Sequence, residues 1–201
     1  MTRYFTQEAR AIAEQAFEHA IRLGHPYLGG EHFLLAMSAA SQPAGAVLRE
    51  HGATPERVEA EIVRLSGGGL FGDLDRDALA AVGVDIDAVR ATTEASFGRE
   101  ALTRASQAAY RKPPWFDLRP RSGAWRKDGV FLPHGPGAMQ AQITATRRAQ
   151  GRDAAKPAGV EDLALGVLAI SEGLVPSILS ALGVSGPALS TGVLDRCHPA
   201  S

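Results

Sequence analysis

Two stretches of this 201-residue chain carry the same pattern twice. VLREHGAT (47–54) returns as ILSALGVS (178–185), 131 residues on, so that Gly52 falls on Gly183, Thr54 on Ser185, Val58 on Leu189 and Ile62 on Val193. GGEHFLLAM (29–37) returns as GVEDLALGV (159–167), 130 residues on, which places Glu31 on Glu161. Similarity at a fixed shift is the mark of a tandem repeat of one supersecondary unit. The chain is therefore expected to be a duplicated bundle whose second copy has diverged further than the first.

The spacing of apolar residues makes that bundle helical. Ala9, Ile12, Ala13, Ala16, Phe17 and Ala20 recur at three- and four-residue steps behind Thr6, an N-cap, and ahead of Gly24, a helix stop. A second helix is predicted from Gly30 with Phe33, Leu34 and Met37 inward. A third opens near Pro43 and closes at Gly52. A fourth starts at Thr54-Pro55 and carries Val58, Ile62 and Leu65 on one face. Apolar residues make up 45% of the chain and are mostly alanine and leucine, which favours helix over sheet. The fold class expected is all-α: two pseudo-symmetric four-helix repeats, residues 1–66 and 133–196, with an insertion at 67–132 and a tail at 197–201.

The insertion opens on Ser66-Gly67-Gly68-Gly69. Asp75 and Asp85 then read as caps of two further helices, the second with Ile86, Val89 and Phe97. From Lys112 to Leu132 helical periodicity fails, leaving a long loop or a β-like excursion. There Arg111, Lys112, Arg119, Arg121, Arg126 and Lys127 surround Trp115, Phe116 and Trp125. Cations interleaved with aromatics can stack on and neutralise single-stranded nucleic acid. A loop pinned by its aromatics with solvated cations is the plainer reading, since the net charge of −1 offers no basic surface elsewhere. A nucleic-acid-associated regulator using 111–127 is the alternative function, and salt sensitivity would separate it from a peptide binder.

FTQEARAIAEQAFEHAIRLGHPYLGGEHFLLAM resembles the first half of the Clp N-terminal (Clp-R) domain, the double four-helix module at the front of ClpC-type Hsp100 unfoldases. Phe5, Thr6, Gly24, His25, Tyr27, Leu28, Gly29, Glu31, His32, Leu34 and Leu35 stand in the register of that family's pattern. The resemblance is strong over 4–65 and weaker over 133–195, where His134 replaces an aromatic and Asp162 a histidine. It implies a non-enzymatic module that binds peptides or client proteins, as an accessory, adaptor or decoy in a Clp protease system, in contact with a ClpC-type unfoldase or a cyclic peptide antibiotic. By the same resemblance Glu31 and Glu161, with Thr6 and Phe5, form the ligand set for phosphoarginine-like groups or peptides. A hydrophobic-peptide groove is implied at Thr2, Ala13, Glu14 and Phe17.

The residues themselves offer little catalysis. No G-x-S-x-G elbow occurs, and Cys197 stands near the end of the chain without an evident base. His19, His25, His32 and His51 lack the H-E-x-x-H spacing of a zinc helix, so no metal and no cofactor are expected. His25 and Tyr27 are expected to hydrogen-bond the turn between the first two helices. Gly67 to Gly72 is the nearest approach to a phosphate-cradling loop, and Asp73 follows where lysine would be needed. The chain thus reads as the module alone without a motor. With one cysteine, no signal-like start and no apolar run of about 20 residues, it is expected to be cytoplasmic, with no membrane partner.

Overall fold

A computed structural model of the chain describes residues 4–66, 83, 85–98, 124–127 and 130–197. In order these form α1 (Gln7–Arg22), α2 (Gly30–Ala39), α3 (Pro43–Glu50), α4 (Pro55–Leu65), α5 (Ile86–Phe97), β1 (Ala124–Lys127), β2 (Val130–Pro133), α6 (Pro136–Arg152), α7 (Val160–Leu168), α8 (Leu174–Ala181) and α9 (Gly186–Cys197). The architecture is all-α, with one antiparallel hairpin, β1 against β2, leading into the second repeat. That hairpin answers the open alternative for 124–133: this part is β structure. The remainder of the basic, aromatic segment and the proposed cap at Asp75 lie outside the described residues.

The first repeat folds as its periodicity requires. The six residues of the predicted apolar stripe are the six buried residues of α1, and Thr6 Oγ accepts the Ala9 N–H at 3.3 Å, closing the helix start. α3 and its counterpart α8 end alike, with Gly52 (φ 87°) and Gly183 (φ 71°) in the left-handed region where a side chain would be strained. Asp85 caps α5 as expected, its carboxylate accepting the Ala88 N–H. Two of the apolar residues of α5, Val89 and Phe97, are exposed, however.

The two copies do not form separate bundles. The segment before α1 bridges the segment before α7, with Thr6 N–H to Ala158 O (3.0 Å) and Ala158 N–H to Tyr4 O (2.8 Å). The segment before α6 bridges the segment before α2 in the same way, with Leu28 N–H to Pro133 O (2.9 Å) and Gly135 N–H to Leu28 O (2.8 Å). Each copy thus lends its entry strand to the other. α3 packs on α9 and α4 on α8, again across the repeats. One continuous core results, running from Phe17 and Phe33 through Leu163 to Ile178 and Leu189. Two glycines set the closest crossings: a Cβ on Gly166 would stand 2.3 Å from Ala141 O, and one on Gly45 2.3 Å from Ala40 O.

Candidate functional site

The pseudo-two-fold places a glutamate at two equivalent helix starts, Glu31 on α2 and Glu161 on α7. Both follow an extended glycine N-cap, Gly29 or Gly159. Both carboxylates fold back over that glycine, where a Cβ would lie 2.0 Å from Glu31 Oε1 or 2.4 Å from Glu161 Oε2. A side chain on either glycine would displace its glutamate from this position, while neither glycine has a positive φ. The third residue of each helix then takes the glycine's N–H: His32 Nδ1 at 2.9 Å in the first copy, Asp162 Oδ2 at 3.1 Å in the second.

The surroundings of the two glutamates differ. Glu161 lines an open cavity of about 220 Å³ where three helix starts converge: Thr6 and Glu8 from α1, Pro43 and Ala44 from α3, and Gly159 and Val160 from α7. Cys197, at the end of α9, completes the wall, so this thiol belongs to the folded body rather than to a loose tail. Burial and the neighbouring Glu161 carboxylate raise its pKa, which makes it a weak nucleophile. Three helix N-termini meet there, and their dipoles favour an anion, although Thr6 Oγ already takes the Ala9 N–H and Pro43 offers no N–H. Glu8 and Glu161 supply the opposite charge. A cavity so lined can hold a ligand with an anionic group and a cationic one close together.

Glu31 has no such opening. The positions matching Thr6, Glu8 and Val160 are Gly135, Gly137 and Gly30. Without side chains the starts of α2 and α6 close on each other: a Cβ on Gly137 would be 3.4 Å from Gly30 N, and one on Gly30 2.6 Å from Ile170 Cδ1. Glu31 is 5% exposed, and its Oε1 has no hydrogen-bond partner. Burial pushes its pKa up to about 7.

Beside it stands a histidine pair. His32 Nδ1 accepts from Gly29, so its proton is on Nε2, which donates to His25 Nδ1 at 2.7 Å. His25 therefore bonds the His32 ring. Burial, first, and the neighbouring His25 hold the His32 pKa well below its usual value; burial also lowers that of His25. His25, Glu31 and His32 are close enough to raise the question of a metal. Both ring nitrogens of His32 are committed to hydrogen bonds, and a cation on either would strand a buried N–H or the second imidazole. In the second copy Asp162 replaces His32, and Arg152 at the end of α6 neutralises it at 2.5 Å.

The remaining residues of the expected site divide. Phe5 is buried and, with Ala9, Ala13 and Phe33, borders a hollow of only about 10 Å³, room for about one water. Phe17 is fully buried in the core, and Glu14 is exposed beside it. The groove expected at Ala13, Glu14 and Phe17 is thus filled by the chain's own packing; Thr2 lies outside the described residues. The sequence did not mark Glu8, Pro43, Arg152 or Cys197 as site residues. Only the hydrophilic start of α1 and the proline at the start of α3 could have hinted at the first two.

Comparison with known proteins bears on the two halves differently. Residues 4–68 match the family of the Clp repeat (R) N-terminal domain. Chloroplastic chaperone proteins ClpC1 of Arabidopsis thaliana and of Oryza sativa subsp. japonica are each 36% identical over 64 residues, 31% of this chain but 7% of the relative. The chain therefore corresponds to a small part of these proteins. In fold the likeness extends to nearly the whole chain. The N-terminal domain of ClpD from Arabidopsis thaliana superposes with a TM-score of 0.58 at 16% identity, over 96% of this chain and 94% of that one. The Hsp104 N-terminal domain from Candida albicans gives 0.51 at 13%, over 98% and 93%.

Proposed function

We propose, from a first repeat that matches the Clp repeat domain and a whole chain that shares the fold of Clp and Hsp104 N-terminal domains, that this protein is a non-enzymatic binding module for peptides or client proteins. It takes its ligand at the Glu161 cavity. The observation that carries this reading is the convergence of three helix starts on one open space with Thr6, Glu8 and Glu161 at its wall. The N–H groups there suit a phosphoryl group, and the carboxylates suit a guanidinium, as a phosphoarginine side chain presents them. As a binding module it works by mass action, as an accessory that delivers marked clients to a Clp-type unfoldase or as a decoy that withholds them. Sequestration of a cyclic peptide antibiotic is a weaker version, because the apolar hollow beside Phe5 has room for only about one water.

Titration calorimetry with phospho-L-arginine tests the assignment. Glu161→Gln is expected to weaken binding at least tenfold, and Glu31→Gln to leave it within twofold. Equal affinity for wild type and Glu161→Gln would remove the cavity from consideration. A salt series on the same sample addresses the nucleic-acid alternative: single-stranded DNA binding that falls by orders of magnitude between low and moderate salt would favour it.

A further inference from the structure

We propose that Arg152 determines the specificity of the Glu161 cavity by holding an internal guanidinium against Glu161, which a ligand's guanidinium must replace. This rests on the assignment of the cavity made above. Arg152 ends α6, and its guanidinium touches two carboxylates unequally: Asp162 Oδ2 at 2.5 Å and Glu161 Oε1 at 3.6 Å. The first is a charge-assisted hydrogen bond; the second is an ion-pair contact beyond hydrogen-bond range.

The two contacts serve different ends. Asp162 is fully buried, with Oδ1 lacking a hydrogen-bond partner, and a buried carboxylate needs its cation. Glu161 needs no such support, since 29% of its side chain is exposed and it borders the cavity. The Glu161 contact can therefore be given up while Arg152 keeps its hold on Asp162. The first repeat serves as an internal control. Arg22, which ends α1 as Arg152 ends α6, turns away to Glu59 with two 2.6 Å bonds, and Glu31 is flanked by imidazoles. An arginine set against the helix-start glutamate thus accompanies the open cavity and not the closed one.

Discrimination follows from this arrangement. Plain arginine gains little at Glu161, because one guanidinium only replaces another. A phosphorylated guanidinium brings in addition an anion for the helix starts and for Arg152, which stays on Asp162 beside Glu161 with 44% of its side chain exposed. Arg152 thus suppresses unmodified arginine more than phosphoarginine.

The test compares L-arginine and phospho-L-arginine binding to the full chain by calorimetry. The variant is Arg152→Gln with Asp162→Asn, which removes the internal guanidinium without leaving a bare buried charge and keeps an acceptor for the Gly159 N–H. The ratio of phospho-L-arginine to L-arginine affinity is expected to fall at least tenfold, mainly because L-arginine binds more tightly. An unchanged ratio overturns the proposal, since a purely structural arginine would move both affinities together or neither. If a melting curve shows the double variant unfolded, Arg152→Lys decides: it keeps a charge for Asp162 but loses the planar fork, and the ratio should fall about threefold, or the proposal fails. Glu161→Gln separates the two claims. Loss of phospho-L-arginine binding in Glu161→Gln with no change of ratio at Arg152 sinks the role of Arg152 alone, whereas no binding in any variant sinks both.

Discussion

At the residue scale, what distinguishes the two halves is the company each glutamate keeps. Glu31 titrates near 4.5 in an unfolded chain and near 7 in the fold, so the folded state holds its proton more tightly. The stability this supplies is complete below pH 4.5 and is lost as pH rises through 7, about 3 kcal/mol in all. His25 and His32, with lowered pKa values, act oppositely and favour the fold as pH rises. Glu31→Gln isolates the carboxyl: its advantage over wild type in thermal melts should grow from pH 5 to pH 8, and a constant difference would show that Glu31 is not a buried acid. Arg152→Ala strands Asp162 and should cost about 2–3 kcal/mol in chemical denaturation, most of it recovered by adding Asp162→Asn. Failure of that recovery would mean that neutralising Asp162 is not what Arg152 contributes to stability. Phe17→Ala should cost about 3–5 kcal/mol, as a filled core position does, whereas a groove-lining residue would cost little.

At the scale of elements, helices were legible and their partners were not. The apolar stripe of α1, the cap at Thr6 and the stops at Gly24 and Gly52 are local chemistry, and each stands where its spacing placed it. Which carboxylate faces an opening is decided elsewhere. It depends on Gly30, Gly135 and Gly137 letting α2 and α6 close, while Val160, Thr6 and Glu8 hold α7 and α1 apart. Gly135 and Gly137 stand 104 and 106 positions from Glu31, and Thr6 and Glu8 stand 155 and 153 from Glu161, so no periodicity connects them. The exposure of Val89 and Phe97 shows the same limit, since a hydrophobic pattern states what can be buried and not whether it is. Helix crossings give a direct check. Gly166→Ala would push a methyl into Ala141 O, a backbone atom that cannot rotate aside, and should cost at least about 2 kcal/mol despite alanine's better helix propensity. A neutral or stabilising result would mean that the α6–α7 crossing is looser than described.

At the scale of the molecule, duplication was visible in the sequence, but interlocking was not. Two copies at a shift of 130 or 131 residues suggest two four-helix lobes; in the structure the segments entering their helices bridge each other and the lobes share one core. Residues 1–66 alone would expose the faces that α6, α7, α8 and α9 cover, and should show no cooperative melt by circular dichroism. A sharp unfolding transition in that fragment would make the repeats independent. The same interlocking produces the cavity, because Thr6 and Glu8 come from one copy and Glu161 from the other. The most direct measurement of the central claim is a ¹H–¹⁵N correlation titration of the full chain with phospho-L-arginine. The open cavity requires saturable shifts at Thr6, Glu8, Val160 and Glu161, with Gly29 to His32 undisturbed; shifts confined to Gly29–His32, or none anywhere, would contradict it.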